Sequence, residues 1–363
     1  MNFKRIILLL VLSAFTIFIY SCGQKLDLNE IDVKDDNVNI GGDTVYIQLN
    51  PVWEGYNKPQ DVMVGKEPFI YVADTDNNRI VMHNLDGQIL GTRSIKHPVA
   101  LAQDYRLNLI VVAQFDTTVN GSTQTFSAVY KLDLFAVGHQ IESAPITKLL
   151  PRAVDLNRPE VEYTGVCVFY DNSFYISRTG PNNSSFIDPD NSLLIFFPKK
   201  SFDGVNKGDT LVGRVPNIDP LGQGPVSAYN ISSLTSFKNQ TIDIVVTLTG
   251  GTNFKANWLH YQITPIDQRY VSNFSPESGI DFVVPNRFER PEGSTLDNSG
   301  NIFIADAGKD SIYKFNSFGD ELQSFGGPGI FSQPHGVAFF DKTLYVADTG
   351  NNRILRFVLS TEL

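Results

Sequence analysis

Residues 71–80 read YVADTDNNRI and residues 345–354 read YVADTGNNRI, so nine of ten positions agree between stretches near opposite ends of the chain. A phrase repeated at that distance marks a repeated structural unit, and further copies at a fixed period decide which kind. Aligning an apolar first strand with the strand that follows finds five clear copies. Pro59–Val64 precedes Phe69–Asp74, Pro98–Ala102 precedes Leu109–Ala113, and Tyr163–Val168 precedes Phe174–Ser177. Pro291–Leu296 precedes Ile302–Asp306, and Pro334–Phe339 precedes Leu344–Asp348. A sixth, degraded copy lies at Leu234–Phe237 before Ile242–Val246, with its register open. A third strand follows each, as at Arg79–Met82 and Ile354–Phe357, and a weaker fourth follows some, as at Gln88–Gly91. Units of about 50–55 residues, four short strands each and no helical periodicity between them, predict an all-β, six-bladed β-propeller.

The last unit is one strand short, because the chain stops soon after its third. Thr44–Leu49 supplies a strand at the other end. An open ring would expose an edge of unpaired backbone groups, so the N-terminal strand is expected to complete the last blade, beside Ile354–Val358.

Composition fits this fold and narrows the partners. The 363 residues include 28 Gly and 19 Pro, as turn-rich β proteins require, and aromatics at 12% suit pleated sheets. A net charge of −10 with no long basic run would repel a phosphate backbone, so nucleic-acid binding is excluded.

The first residues lie outside the repeat. Lys4 and Arg5 precede an apolar run from Ile6 to Tyr20, and polar Gly23-Gln24-Lys25 follows soon after. The run is shorter than the ~20 residues that cross a bilayer and reads as a secretory leader. Ile19-Tyr20-Ser21-Cys22 resembles the lipobox of bacterial lipoproteins, although Tyr20 stands where that box usually has a small residue. The resemblance implies removal of residues 1–21 and acylation of Cys22, which would anchor the chain to a membrane of the bacterial envelope. Periplasm-facing and surface-facing placements both stay open. Residues 22–42, rich in Asp and ending in Gly41-Gly42, read as a tether that holds an acidic body off an anionic membrane. Residues 43–363 form the propeller. With Cys22 acylated, Cys167 has no partner; within Gly165–Phe169 it reads as a small buried hydrophobe.

In the repeated phrase, Asp348 is expected to accept backbone N–H groups across a turn, Gly350 or Asn351 to take positive φ, and Arg353 to reach a carboxylate. Asp74, Arg79, Asp348 and Arg353 therefore read as turn architecture. The pattern P-x-G-[VIS]-A … [IL]-[YF]-[VI]-A-D-[TA]-G-N-[ND]-R-I resembles the NHL repeat, closely at residues 59–83, 291–315 and 334–357 and in outline elsewhere. The resemblance implies a six-bladed propeller and leaves function open.

Departures from the pattern mark candidate sites. Where the other copies have Asp74, Asp306 and Asp348, the third has Arg178 and the second Gln114. Long loops are expected at Phe115–Ser127, Gly180–Ser192, Lys199–Asn230 and Thr264–Glu289, carrying Phe186, Phe202, Tyr229 and Phe274, with Phe254 between the last two loops. The strand-one entry positions, which face a channel mouth, read Gln60, Val99, Thr164, Glu292 and His335. Some NHL-type propellers resemble lyases with a zinc held by three His, and lactonase-like ones hold calcium with Glu, Asn and Asp. Of His83, His97, His139, His260 and His335 only the last falls at an entry, and one carboxylate among the entry residues makes a poor calcium cage, so no metal is assigned. No Gly-x-Ser-x-Gly, phosphate loop or dinucleotide fingerprint appears, so no cofactor is assigned either. The favoured expectation is a membrane-tethered, non-catalytic binding propeller for a protein, peptide or glycan, with Gln60, Thr164, Arg178, Glu292 and His335 as candidate binding residues. The alternative is a lyase or hydrolase with Glu292 and His335 as an acid–base pair.

Overall fold

The computed structural model describes residues 45–200, 206–237, 239–251 and 253–362. The leader, Cys22 and the tether through residue 42 lie outside the described residues. Among the described residues twenty-four strands form six four-stranded antiparallel sheets. Blade 1 is β2 (Pro59–Val64), β3 (Ile70–Asp74), β4 (Arg79–His83) and β5 (Ile89–Ser94). Blade 2 is β6 (Ala100–Gln103), β7 (Asn108–Val119), β8 (Ser122–Asp133) and β9 (Ile146–Leu150). Blade 3 is β10 (Glu162–Val168), β11 (Phe174–Thr179), β12 (Ser192–Lys200) and β13 (Asn206–Arg214). Blade 4 is β14 (Ile231–Ser236), β15 (Ile244–Leu248), β16 (Ala256–Ile263) and β17 (Gln268–Ser272). Blade 5 is β18 (Pro291–Leu296), β19 (Ile302–Asp306), β20 (Ser311–Phe315) and β21 (Glu321–Gly326). Blade 6 is β22 (Pro334–Phe340), β23 (Thr343–Asp348), β24 (Arg353–Leu359) and, from the other end of the chain, β1 (Tyr46–Gln48).

The expected closure is present. Tyr46, Ile47 and Gln48 pair with Leu359, Val358 and Phe357, and Trp53 bridges to Ile354. The fourth blade, whose register the sequence left open, pairs Ile231 with Leu248 and Leu234 with Val246.

Second strands are buried on both sides because blades stack face to face. In β3 all five residues are buried. Their side chains alternate, so Tyr71 and Ala73 enter the seam with blade 2, while Ile70 and Val72 enter the seam with blade 6. Six apolar clusters lie among the described residues, one in each seam. Each fully buried Val, Leu, Ile or Phe contributes about 1.5–3 kcal/mol, so the ring is held by its seams rather than by one central core.

The repeated phrase ties each turn to the next blade. Buried Asp74 accepts from Asn57 N (2.7 Å), Asn77 Nδ2 (2.9 Å) and Arg79 Nε (2.6 Å). Buried Asp348 accepts from Ser332 N (2.7 Å), Asn351 Nδ2 (2.9 Å) and Arg353 Nε (2.7 Å). Thr75 donates to Pro98 O (2.7 Å) and Thr349 to Pro59 O (2.6 Å), each reaching the strand that opens the following blade. The residue with positive φ is neither Gly350 nor Asn351 but Asn352 (φ 58°), matched by Asn78 (φ 54°) in blade 1. A single left-handed residue ends the short 3₁₀ turn, and its side chain then accepts from the next blade's backbone, as Asn352 does from Lys58 N at 2.8 Å.

Three expected loops are in part strands. Phe115–Ser127 is the tip of the β7–β8 hairpin, turned at Asn120-Gly121. The outer strands β13 and β17 lie inside what reads as the loops 199–230 and 264–289, because exposed edge strands carry little apolar alternation.

Strand directions define two faces. Inner strands start on an upper face, which carries the blade-to-blade connections and the turns after second strands. The lower face carries the turns after first and third strands. Val45 donates to Ser360 Oγ (3.2 Å), and Ser360 N donates back to Val45 O, so the described chain begins at the lower face.

Candidate functional site

The entry to each inner strand is set by a register shift. In blade 1 Pro59 pairs with Asp74 and Asp61 with Ala73, leaving Gln60 extruded. The same shift falls at Thr164, Ser232, Glu292 and His335–Gly336. In blade 2 the inner strand runs in continuous register from Ala100 opposite Val112. Such bulges re-aim side chains, and here they aim them differently.

Gln60 and Glu292 line a central channel of about 510 Å³ walled by all six inner strands. Thr164 is turned sideways. Its hydroxyl pairs with Ser177 Oγ (2.8 Å) and donates to Ile231 O of blade 4. Ser232, the entry residue that the sequence left unassigned, does the same with Thr247 Oγ1 (2.9 Å) and Pro291 O (2.7 Å) of blade 5. His335 is absent from the channel wall. Burial, with help from the nearby Arg290 guanidinium, lowers its imidazole pKa to about 4. Among the described residues no hydrogen bond or ion pair joins Glu292 to His335. Arg290 Nε instead stands 3.4 Å from Glu292 Oε1.

Blades 5, 6 and 1 approach closely because glycine follows the entry residue. A β-carbon on Gly293 would sit 2.2 Å from His335 O, and one on Gly336 would sit 2.6 Å from Asp61 Cα. Asp61 occupies the position that glycine holds in blades 3, 5 and 6, and the sequence reading passed over it. Its carboxylate accepts from Leu101 N of blade 2 at 2.7 Å. Desolvation raises its pKa to about 7, against the lowering effect of backbone N–H groups of Leu101 and Val62. Glu292 is raised to about 7 as well, chiefly by desolvation, with Arg290 opposing and Asp306 adding to it. The signal for Asp61 was present: aligning P-Q-D with P-E-G and P-H-G sets a carboxylate where the pattern asks for glycine.

Among the described residues no three His, Cys, Asp or Glu side chains converge. Two of the six entry side chains, Thr164 and Ser232, are committed to neighbouring blades, and His260 pairs with Asp243 at 2.9 Å, away from the channel. Cys167 is buried on β10, and burial pushes its thiol well above the usual range.

Arg178 also stands away from the channel. Its guanidinium donates to Asp190 O (3.1 Å), Pro189 O (2.6 Å) and Asp188, pinning the upper-face loop 180–191. Arg158 adds a contact to Asp188 (2.8 Å), and Arg214 Nε donates to Ile187 O (2.9 Å). At the tip of this fastened loop Phe186 is 96% exposed and Ile187 87%. The other loop aromatics turn inward where described: Phe274 is buried, and the Tyr229 ring would touch β-carbons added to Gly222 and Gly250. Phe202 lies outside the described residues.

Comparison with known proteins bears on the fold. Residues 331–357 match the NHL repeat model. No curated protein matches the chain by sequence. An auxiliary nutrient binding protein from Bacteroides thetaiotaomicron superposes with a TM-score of 0.56 at 10% identity, covering 86% of this chain and 73% of that one. A luciferin-regenerating enzyme gives 0.55 at 13% identity, covering 87% and 95%. Regucalcin from Agrobacterium tumefaciens, a calcium-binding protein, gives 0.53 at 11% identity, covering 85% and 93%. At these identities the likeness concerns the backbone, and the neighbours include both enzymes and binding proteins. Seam packing, ring closure and the turn network of residues 331–357 together identify the chain as a six-bladed β-propeller whose closing blade carries an NHL repeat.

Proposed function

We propose that the chain is a lipid-anchored, non-catalytic binding propeller of the bacterial envelope that presents its upper face to a protein partner. The observation that carries this reading is the loop 180–191. Three arginines fasten it to blade 3, and its tip holds Phe186 and Ile187 almost fully in solvent. An apolar pair on a preorganised base loses little conformational entropy on docking and suits an apolar pocket in a protein better than a glycan or a polar peptide. Chain direction is compatible with it: the described chain begins at the lower face, so a tether ahead of Val45 does not start from the upper one. A photo-crosslinking residue introduced at Phe186 in cells should capture a discrete protein adduct, and the same residue at Ile266 on the lower face should not. Absence of an adduct from position 186 overturns the reading.

A second reading, a lyase or hydrolase, is favoured by one observation. Glu292 lines the channel with a carboxyl raised to about 7, where it can exchange protons at neutral pH. Turnover of chromogenic esters or lactones that is lost in a folded Glu292→Gln variant would establish it; equal rates in both proteins remove it.

A further inference from the structure

Both faces carry exposed apolar side chains, but on the lower face they recur at one structural position. The turns joining third to outer strands on the lower face each project one: Leu85 in blade 1 (37% exposed), Phe135 in blade 2 (74%), Ile266 in blade 4 (96%) and Phe318 in blade 5 (74%). The corresponding turn of blade 3 lies outside the described residues, and in blade 6 that place is where the chain enters β1. Every such turn that is described therefore carries an apolar tip. Scattered single exposures are ordinary on a protein surface. Recurrence at one structural position round a ring, on one face, is not.

The tips stand on separate blades round the channel axis and do not merge into one patch. A concave protein pocket takes a clustered anchor; tips set round a ring meet a flat, yielding surface. Phe, Ile and Leu on turn tips are side chains that enter the boundary between lipid headgroups and acyl chains. The described chain begins on this same face at Val45, with residues 23–44 separating it from Cys22. An acyl group on Cys22 would keep this face within reach of the membrane. Each tip also has a carboxylate within two residues: Asp86, Asp133, Asp267 and Asp320. These would repel an anionic headgroup and tolerate a zwitterionic one.

We propose that the lower face docks on a zwitterionic lipid surface by inserting Leu85, Phe135, Ile266 and Phe318, so that the tether holds the ring down on the membrane rather than off it. This rests on the lipid-anchored reading above. The test uses the full chain with vesicles of phosphatidylcholine brominated along its acyl chains and with tryptophan introduced at one site at a time. Emission from Ile266→Trp and Phe318→Trp should be quenched, and emission from Phe186→Trp on the upper face should not. Replacing half the lipid by phosphatidylglycerol should weaken the quenching, and adding Phe135→Asp to either lower-face variant should abolish it. Flotation of host membranes, with Cys22→Ala as the control, reports the anchor separately. A chain that floats through Cys22 while positions 266 and 318 stay unquenched overturns docking and leaves the anchor standing. A chain that does not float removes both. Equal quenching at position 186, or sedimentation of the free chain as a dimer that shields the tips, also overturns the proposal.

Discussion

Replacing Asp61 by Asn should make the protein more stable at pH 8. The carboxyl of Asp61 sits among the inner strands of blades 1, 2 and 6, and desolvation moves its pKa from the ordinary 3.8 to about 7. A carboxyl whose folded-state pKa lies above its unfolded one holds its proton more tightly in the folded chain. Stability therefore falls as pH rises from about 4 to about 7 and stays low above that. At about 1.4 kcal/mol per pH unit, carrying this charge costs about 4 kcal/mol at pH 8. That value is a ceiling, because the channel has room for water. Asn is isosteric, carries no charge and can still accept from Leu101 N, which now bonds the carboxylate at 2.7 Å. Guanidinium unfolding followed through Trp53 and Trp258, at intervals from pH 4 to 8.5, gives the comparison directly. Asp61→Asn should gain about 2–4 kcal/mol over the parent at pH 8, and the gain should shrink to roughly 0.5 kcal/mol at pH 4, where the folded parent is protonated and the unfolded one about half so. Glu292 contributes a parallel slope that this variant leaves in place. A variant no more stable than the parent at pH 8, or a difference that does not change with pH, refutes the assignment of Asp61 as a desolvated carboxylate.

Other outcomes follow from the same geometry. His335, lowered to about 4, takes up its proton more readily when unfolded, so stability should fall as pH drops from about 6.5 to 4; His335→Gln should flatten that acid limb by up to about 3 kcal/mol in the same titration. Gly293→Ala sets a methyl group 2.2 Å from a backbone oxygen and should cost about 1–3 kcal/mol by thermal unfolding; an unchanged Tm would mean the seam between blades 5 and 6 can open without cost. Thr75→Val and Thr349→Val each remove a bond across a different seam and should each cost about 1–3 kcal/mol, with the double variant additive; strong non-additivity would show that the two seams are coupled.

The fold was legible because each turn copy must satisfy the same backbone groups. Asp74 and Asp348 gather the same three donors, so the same residues recur at the same spacing. Ring closure followed from counting strands. The β7–β8 hairpin was less visible, since Gln114 to Thr125 is polar on a ribbon that projects beyond the seams; Asn120-Gly121 was the turn signal to weigh. Site geometry was the least legible part. Gln60, Thr164, Glu292 and His335 share one alignment column, yet a one-residue bulge turns Thr164 toward blade 4, leaves His335 off the channel wall and keeps Gln60 and Glu292 on it. Where a bulged side chain points depends on the neighbouring blade, which no local pattern encodes. Arg178 was noticed as a departure, and its partners Asp188 and Asp190 lie in the adjoining loop, where spacing alone does not pair them.

The clasp in blade 6 also orders events in time. Val45 meets Ser360, a partner 315 residues later, so the first strand made must wait for almost the last. Until β24 is made, β1 has no strand to pair with and blade 1 lacks the neighbour that completes its seam. Contacts of such long separation form slowly. The ring therefore closes only with the pairing of β1 and β24.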